Sequence, residues 1–339
     1  MAKEGVVLEP FLHQVGGHFP LVSLDDFTLC KPLNFKELRF YQSLPDALVP
    51  FTPSYKGTMR ADALEDGHGY ISIVGTPPSS IEKSHLKSKP KIRWLKKDDE
   101  SIEMSPESYC NPWALKIHRN HIKALARSSD YYLLLENLVH KHRNPCVIDL
   151  KVGTRQYSDD VSPSKKQRKI AKSKESTTAA LGLRLCGLQS YNPISNNYCC
   201  LNKYYGRSLT PSTFEKTIED FFLKSDCIFR RDVCLEIVKK CKELVAVLEG
   251  LDSFRFYTSS LLVSYDGYLD PKIINGKKNI LNRVSDENVV DVRIIDFAHS
   301  THKGLKDTVH YEGPDQGFIF GLNNFIDILE RISISYSNS

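Results

Sequence analysis

The chain has 339 residues, 41% of them apolar and 26% charged, with 46 Lys and Arg against 41 Asp and Glu for a net charge of +5. That balance excludes a disordered chain, a collagen-like fibre and a disulfide-stapled miniprotein, and the length suits two lobes or two small domains. So mild a positive charge does not call for a polyanionic partner by itself; its distribution along the chain matters more.

The start, MAKEGVVLEP, carries Lys3 and Glu4 and no long apolar stretch, so no secretory leader is expected. No apolar run approaches the roughly 18–20 residues of a membrane helix, so no membrane partner is expected. Residues 5–75 read as short strands with turns, at 6–8, 27–31 and 71–74. Val15-Gly16-Gly17-His18 reads as a tight turn between two of them. Residues 76–108 mix Pro, Ser, Lys, Asp and Glu with little apolar content and read as a surface linker or insertion.

A helix is predicted from Asn111 and Pro112 to about residue 127, on the spacing of Leu115, His118, Ile122 and Leu125. His118 and His121 stand three apart on it. With no third ligand near, they read as helix surface rather than a metal site. Residues 131–135 and 145–151 read as strands. Thr210 caps a helix whose stripe is Phe214, Ile218, Phe221 and Phe222, and a second stripe runs from Cys234 through Cys241 to Leu248, stopped by Gly250. Residues 254–265 and 289–297 read as strands flanking a polar loop at 268–288, and residues 318–329 form a last helix. Nine cysteines without any Cys-x-x-Cys read as reduced, mostly buried thiols, which places the protein in the cytoplasm, the nucleus or both. Strands first and helices later make an α+β, two-lobed pattern: a β-rich N-lobe over 1–138 and a larger mixed C-lobe over 139–339.

Three segments fit one phosphoryl-transfer machine. Lys31 follows an alternating strand. PCVIDLKVG, residues 145–153, puts Asp149 and Lys151 on one side of a strand, because side chains alternate with period two. Ile294-Ile295-Asp296 puts a carboxylate where a buried strand ends, and there it must pair, bind metal or face a cleft. Phosphoryl transfer needs cations to spread charge over phosphates, a carboxylate for Mg²⁺ and a group that orients the attacking oxygen. Lys31, Asp296 and the Asp149/Lys151 pair supply these in turn.

PCVIDLKVG matches the Pro-x-x-x-Asp-x-Lys-x-Gly signature of the inositol polyphosphate kinase family. Ser260-Leu261-Leu262 matches that family's Ser-Leu-Leu element, and IDFAHS its metal-binding motif. VVLEPFLHQVGGH, LLLENL, LGLRLCG, NKYYGR and RFYTSSLLVSYDG resemble the inositol hexakisphosphate kinases within it. The resemblance implies a two-lobed fold distantly similar to protein kinases, with ATP and Mg²⁺ as cofactors. By position, Lys31 would grip the α/β-phosphates, Glu136 and Leu138 would form the adenine hinge through their backbones, and Asp296 would hold the metal. Ser260 would lie on the phosphate or metal side, and Lys151 would contact the transferred phosphoryl group. Asp149 would either orient the acceptor or contact the ribose. A glycine-rich phosphate loop is absent, since Gly16-Gly17 is only a turn.

The run SPSKKQRKIAKSKEST sets Lys165, Arg168, Lys169 and Lys172 at offsets of 0, 3, 4 and 7, one face of a helix. Like charges on one face repel, so such a helix wants an anion, and a polyphosphorylated inositol suits it. A solvated charge run or a nuclear-localisation patch are the plainer readings. The close approach in sequence to Asp149 and Lys151 favours the substrate-binding one. Lys203 and Arg207 fit the same pocket or a surface equally well. The expected activity is ATP-dependent phosphorylation of inositol hexakisphosphate to a diphosphoinositol, by a monomer. The alternatives are a hydroxyl kinase on a less phosphorylated inositol and, from another class, a non-catalytic scaffold or nucleic-acid binder using residues 165–174. Few aromatics interleave with those lysines, so a nucleic-acid partner is not expected.

Overall fold

The computed structural model describes residues 5–82, 86, 92–96, 102–105, 111–125, 129–225, 228–269, 290–305 and 309–336. The polar loop expected at 268–288 lies, beyond Leu269, outside them. The chain divides into two compact units, Met1–Leu38 with Pro53–His140, and Arg39–Thr52 with Lys141–Ser339. The changeover at 140/141 lies two residues past the boundary drawn from sequence, and residues 39–52 go with the C-terminal unit.

The first unit holds β1 (Val6–Pro10), β2 (Val22–Asp25), β3 (Thr28–Pro32), the start of α1 (Phe35–Gln42), β4 (Tyr55–Glu65), β5 (Tyr70–Gly75), β6 (Arg93–Lys96), β7 (Ile102–Ser105), α2 (Pro112–Leu125) and β8 (Ser129–Glu136). Its strands form one sheet in the order β1-β2-β3-β8-β4-β5-β6-β7, and β1 also pairs with β5, so six strands close on themselves. Closure gives every alternate side chain a common interior. Leu8, Val22, Cys30, Met59, Ile71, Ile73 and Leu134 fill it.

Three expectations change here. The glycine turn is part of a longer connection between β1 and β2, drawn together by Gln14, whose amide donates to the carbonyls of Gly16 and Phe19. Residues 35–42, within a stretch read as strands, are helical because Asn34 accepts the N–H groups of Lys36 and Glu37 and so starts a helix. The segment 76–108, read as linker, contains β6 and β7, paired with each other and added to β5. Trp94 supplies the reason: one large indole, 1% exposed, anchors an otherwise polar stretch in the core.

The second unit holds β9 (Pro145–Val152), α3 (Pro163–Lys174), α4 (Thr177–Leu181), β10 (Leu183–Asn192), β11 (Asn197–Asn202), α5 (Lys203–Ser208), α6 (Pro211–Phe222), β12 (Leu223–Ser225), β13 (Ile228–Phe229), α7 (Arg231–Glu249), β14 (Ser260–Asp266), β15 (Asp291–Ile295) and α8 (Gln316–Ser335). Its main sheet is antiparallel in the order β11-β10-β9-β14-β15. Thr210 caps α6 in a reciprocal box with Thr213. The stripes of α7 and α8 are buried, and the Cys234 thiol donates to the Leu329 carbonyl where the two helices meet.

Of the run expected at 254–265, the strand begins only at Ser260 and ends at Asp266; Thr258, with φ of 61°, breaks the extended run. Gly182, with φ of 62°, ends α4 and turns the chain into β10. A Cβ there would lie 3.0 Å from Gly321 Cα in α8, so only glycine fits this junction.

Candidate active site

Register assembles the charged residues of the second unit. Lys151 on β9 faces Arg184 on β10 and Ser260 on β14, and Ser260 faces Ile295 on β15. Residues directly opposite one another in a sheet share a face, so Arg184, Lys151, Ser260 and Ile295 form one row across four strands. Asp296 follows at the end of β15. Asp149, two residues before Lys151, lies on the same face and is buried.

The Lys151 ammonium donates to the Thr258 carbonyl and, at 3.3 Å, to the Asp296 carboxylate. Burial would push its pKa down, but Asp296 and Asp149 outweigh that and hold it above the ordinary lysine range. Both residues that grip it, Thr258 and Asp296, have left-handed backbones, with φ of 61° and 67°. That geometry costs a non-glycine residue about 1–2 kcal/mol each. The Ser259 hydroxyl, donating to the Asp296 carbonyl at 3.0 Å, helps hold the second of them.

Among the described residues no three His, Cys, Asp or Glu side chains cluster as a metal cage. The Ser260 hydroxyl is buried with no hydrogen-bond partner among the described residues, and Ser260 pairs with Ile295, the residue before Asp296. Hard oxygen donors in such small number fit Mg²⁺, which is commonly held by one or two carboxylates together with substrate phosphates. His118 is buried against Trp94, with ring centroids 5.6 Å apart, which is a packing role.

The basic run is helical, as α3, and none of its residues is fully buried. Lys169 is half-buried. Burial and the nearby charges of Lys151, Lys165 and Arg184 push its pKa down, against the opposing pull of Asp160. The helix thus delivers one lysine to the Lys151 end of the row. Lys165, Arg168, Lys169 and Lys172 make no hydrogen bond or ion pair through their side chains with any described residue. The lead-in to α3 is fixed by Arg155. Its guanidinium donates to the Tyr157 carbonyl, the Tyr257 and Tyr311 hydroxyls and the Asp159 carboxylate. Lys203 and Arg207 flank the exposed Tyr204 ring, 5.8 and 5.6 Å from its centre.

In the first unit Lys31, at the end of β3, donates to Glu37 of α1 at 2.8 Å, and that carboxylate is 1% exposed. Glu136 ends β8, where its carboxylate accepts from the Ser54 N–H and hydroxyl, and Leu138 is buried just beyond. The sequence reading did not find Glu37, Thr258 or Arg184 as members of these constellations. Arg184 sat inside the quoted LGLRLCG; what was missing was the register that sets it opposite Lys151.

Among solved structures, the S. cerevisiae inositol phosphate multikinase, solved with ADP and Mn²⁺, aligns at a TM-score of 0.57. It covers 90% of this chain and 98% of that one at 21% identity. The chain therefore has an inositol phosphate kinase fold, α+β and kinase-like. The inositol polyphosphate kinase family model matches residues 132–330. Curated relatives include rat inositol hexakisphosphate kinase 1, 36% identical over 97% of this chain and 94% of its own length. Mouse inositol hexakisphosphate kinase 3 is 37% identical over 97% and 96%. The chain belongs to the inositol polyphosphate kinase family.

Proposed function

We propose that the protein transfers the γ-phosphoryl group of ATP to an existing phosphate of inositol hexakisphosphate, giving a diphosphoinositol and ADP. The observation that carries this reading is the row of the second-unit sheet. A lysine held charged by two carboxylates stands in one row with a buried hydroxyl and a strand-end carboxylate, and a cationic helix, with Asp160 the carboxylate that opposes its Lys169, reaches the other end. The names and extent of the most similar curated relatives support the same acceptor, and the 5-position is what the family resemblance implies. Mg²⁺, when bound through Asp296 with Ser260 nearby, would supply charge neutralisation on the nucleotide phosphates.

The chain's own residues do the rest. Lys151 neutralises the phosphoryl group in transit and hands its attraction from Asp296 to that group as charge develops there. Asp149 keeps Lys151 protonated. Lys165, Arg168, Lys169 and Lys172 hold the acceptor, whose phosphate oxygen attacks the γ-phosphorus as the bond to the β–γ bridging oxygen breaks. Lys31, fixed by Glu37, is the cation for the α/β-phosphates, and Glu136 and Leu138 offer backbone groups to adenine. The free thiols described support a reducing compartment, cytoplasm or nucleus.

Incubation with ATP, Mg²⁺ and a panel of inositol phosphates tests the reading. Hexakisphosphate should be the preferred acceptor. A preference for a trisphosphate overturns it in favour of a hydroxyl kinase, and RNA affinity with no ATP consumption in favour of a binding protein.

A further inference from the structure

Arg184 is the one charged member of the sheet row to which the reaction assigns no task. It stands directly across from Lys151, so their Cα atoms are about 4.5–5.5 Å apart. On the far side of Lys151 lie Ser260 and then Asp296, the oxygen-donor end of the row. Arg184 therefore marks the opposite end, where α3 brings Lys169 close enough for the two charges to act on each other.

Arg184 is half-buried, yet its side chain makes no hydrogen bond or ion pair with any described residue. Its charged neighbours of the same sign are Lys151, committed to Asp296, and Lys169, opposed by Asp160. A half-buried guanidinium that no described acceptor meets, with two cations as neighbours, has hydrogen-bonding capacity left for an anion. A bound anion takes up that capacity, and the planar fork of arginine matches two oxygens of one phosphate.

We propose that Arg184 is a substrate-binding residue that grips a phosphate of the inositol polyphosphate, on the side of Lys151 away from Ser260 and Asp296 and together with Lys169. The proposal rests on the reading above that a polyphosphorylated inositol is the acceptor. It turns the acceptor site from a helix face into a two-walled one, with α3 on one side and the β10 strand on the other.

The test compares wild type, Arg184→Gln, Arg184→Lys and Lys169→Ala. Arg184→Gln should raise the hexakisphosphate KM at least about tenfold, with the ATP KM within about twofold, and Arg184→Lys should fall between. Without ligand, Arg184→Gln should melt at the same or a higher temperature than wild type, because a repelling charge is gone. Added hexakisphosphate should then raise its melting temperature less than it raises that of wild type. An unchanged KM with an unchanged ligand-induced shift overturns the proposal. So does a lower melting temperature without ligand joined to higher KM values for both substrates, the mark of a framework residue. Lys169→Ala separates the two levels. If it raises KM and Arg184→Gln does not, Arg184 alone is wrongly assigned. If wild type phosphorylates no inositol phosphate, the acceptor reading falls and the proposal with it.

Discussion

Lys31 and Lys169 are both assigned to phosphate, but the two units hold them in opposite electrical states. In the first unit the Lys31 ammonium, 21% exposed, meets a buried glutamate at 2.8 Å, so the charge is balanced before any ligand arrives. In the second, Lys169 is pressed by Lys151, Lys165 and Arg184, and its carboxylate counterweight is Asp160. A balanced cation is preorganised, and its ligand adds little to stability. An unbalanced cluster is strained, and its ligand relieves that strain. Lys151 stands between these cases: it is paired, but to a carboxylate that the proposed reaction also needs for metal.

The comparison breaks most visibly at that shared carboxylate. Asp296→Asn should lower kcat by at least about 10²–10³-fold while the melting temperature stays close to that of wild type. Retained turnover with Mg²⁺ would remove Asp296 from the metal. The balanced side is tested by Lys31→Met, which leaves the Glu37 carboxylate buried without its ammonium. The loss of stability should be about 1–3 kcal/mol by denaturant titration, with a raised ATP KM. An equally stable variant would show that the pair carries no structural weight.

On the unbalanced side, Lys169→Ala with Lys172→Ala should raise the hexakisphosphate KM at least about tenfold and leave the ATP KM alone. The change should be smaller for a trisphosphate. Equal KM values for both inositols would return α3 to a solvated face. The smallest effect is the most diagnostic. Because the Lys169 pKa is depressed, kcat/KM for hexakisphosphate, which reports the free enzyme, should fall on the alkaline side below the ordinary lysine range. Arg184→Gln should move that limb to higher pH.

The two lysines also differ in sign for stability. The ligand-free fold gains stability as pH rises through the depressed value of Lys169 toward that of a free lysine. The contribution of Lys151, with its raised value, is complete below the free-lysine pKa and is lost as pH climbs through its own. A stability–pH profile of Lys169→Ala that overlays the wild type would deny the first of these.

Much of this was legible beforehand because it is local. Period-two alternation put Asp149 and Lys151 on one face, the 3.6-residue period gathered the α3 cations, and the buried run before Asp296 announced a special carboxylate. The hairpin of β6 and β7 was not legible, because its composition is that of a loop and one tryptophan decides it. Helix α1 was hidden for a related reason: its start rests on one asparagine side chain that also reads as a turn.

The sequence by itself determined the signature residues, their secondary structure, the α+β class and the family, since each is written in short-range spacing. Tertiary structure decided which of those residues stand side by side. Arg184 lies 33 positions from Lys151 and Ser260 lies 109, and only strand register makes them neighbours. It also decided that Thr258 turns its carbonyl onto Lys151 and that Glu37 balances Lys31. A period fixes which way a side chain faces within its own strand. The partner across the ladder is chosen by the burial of whole faces at once, and no local spacing encodes that.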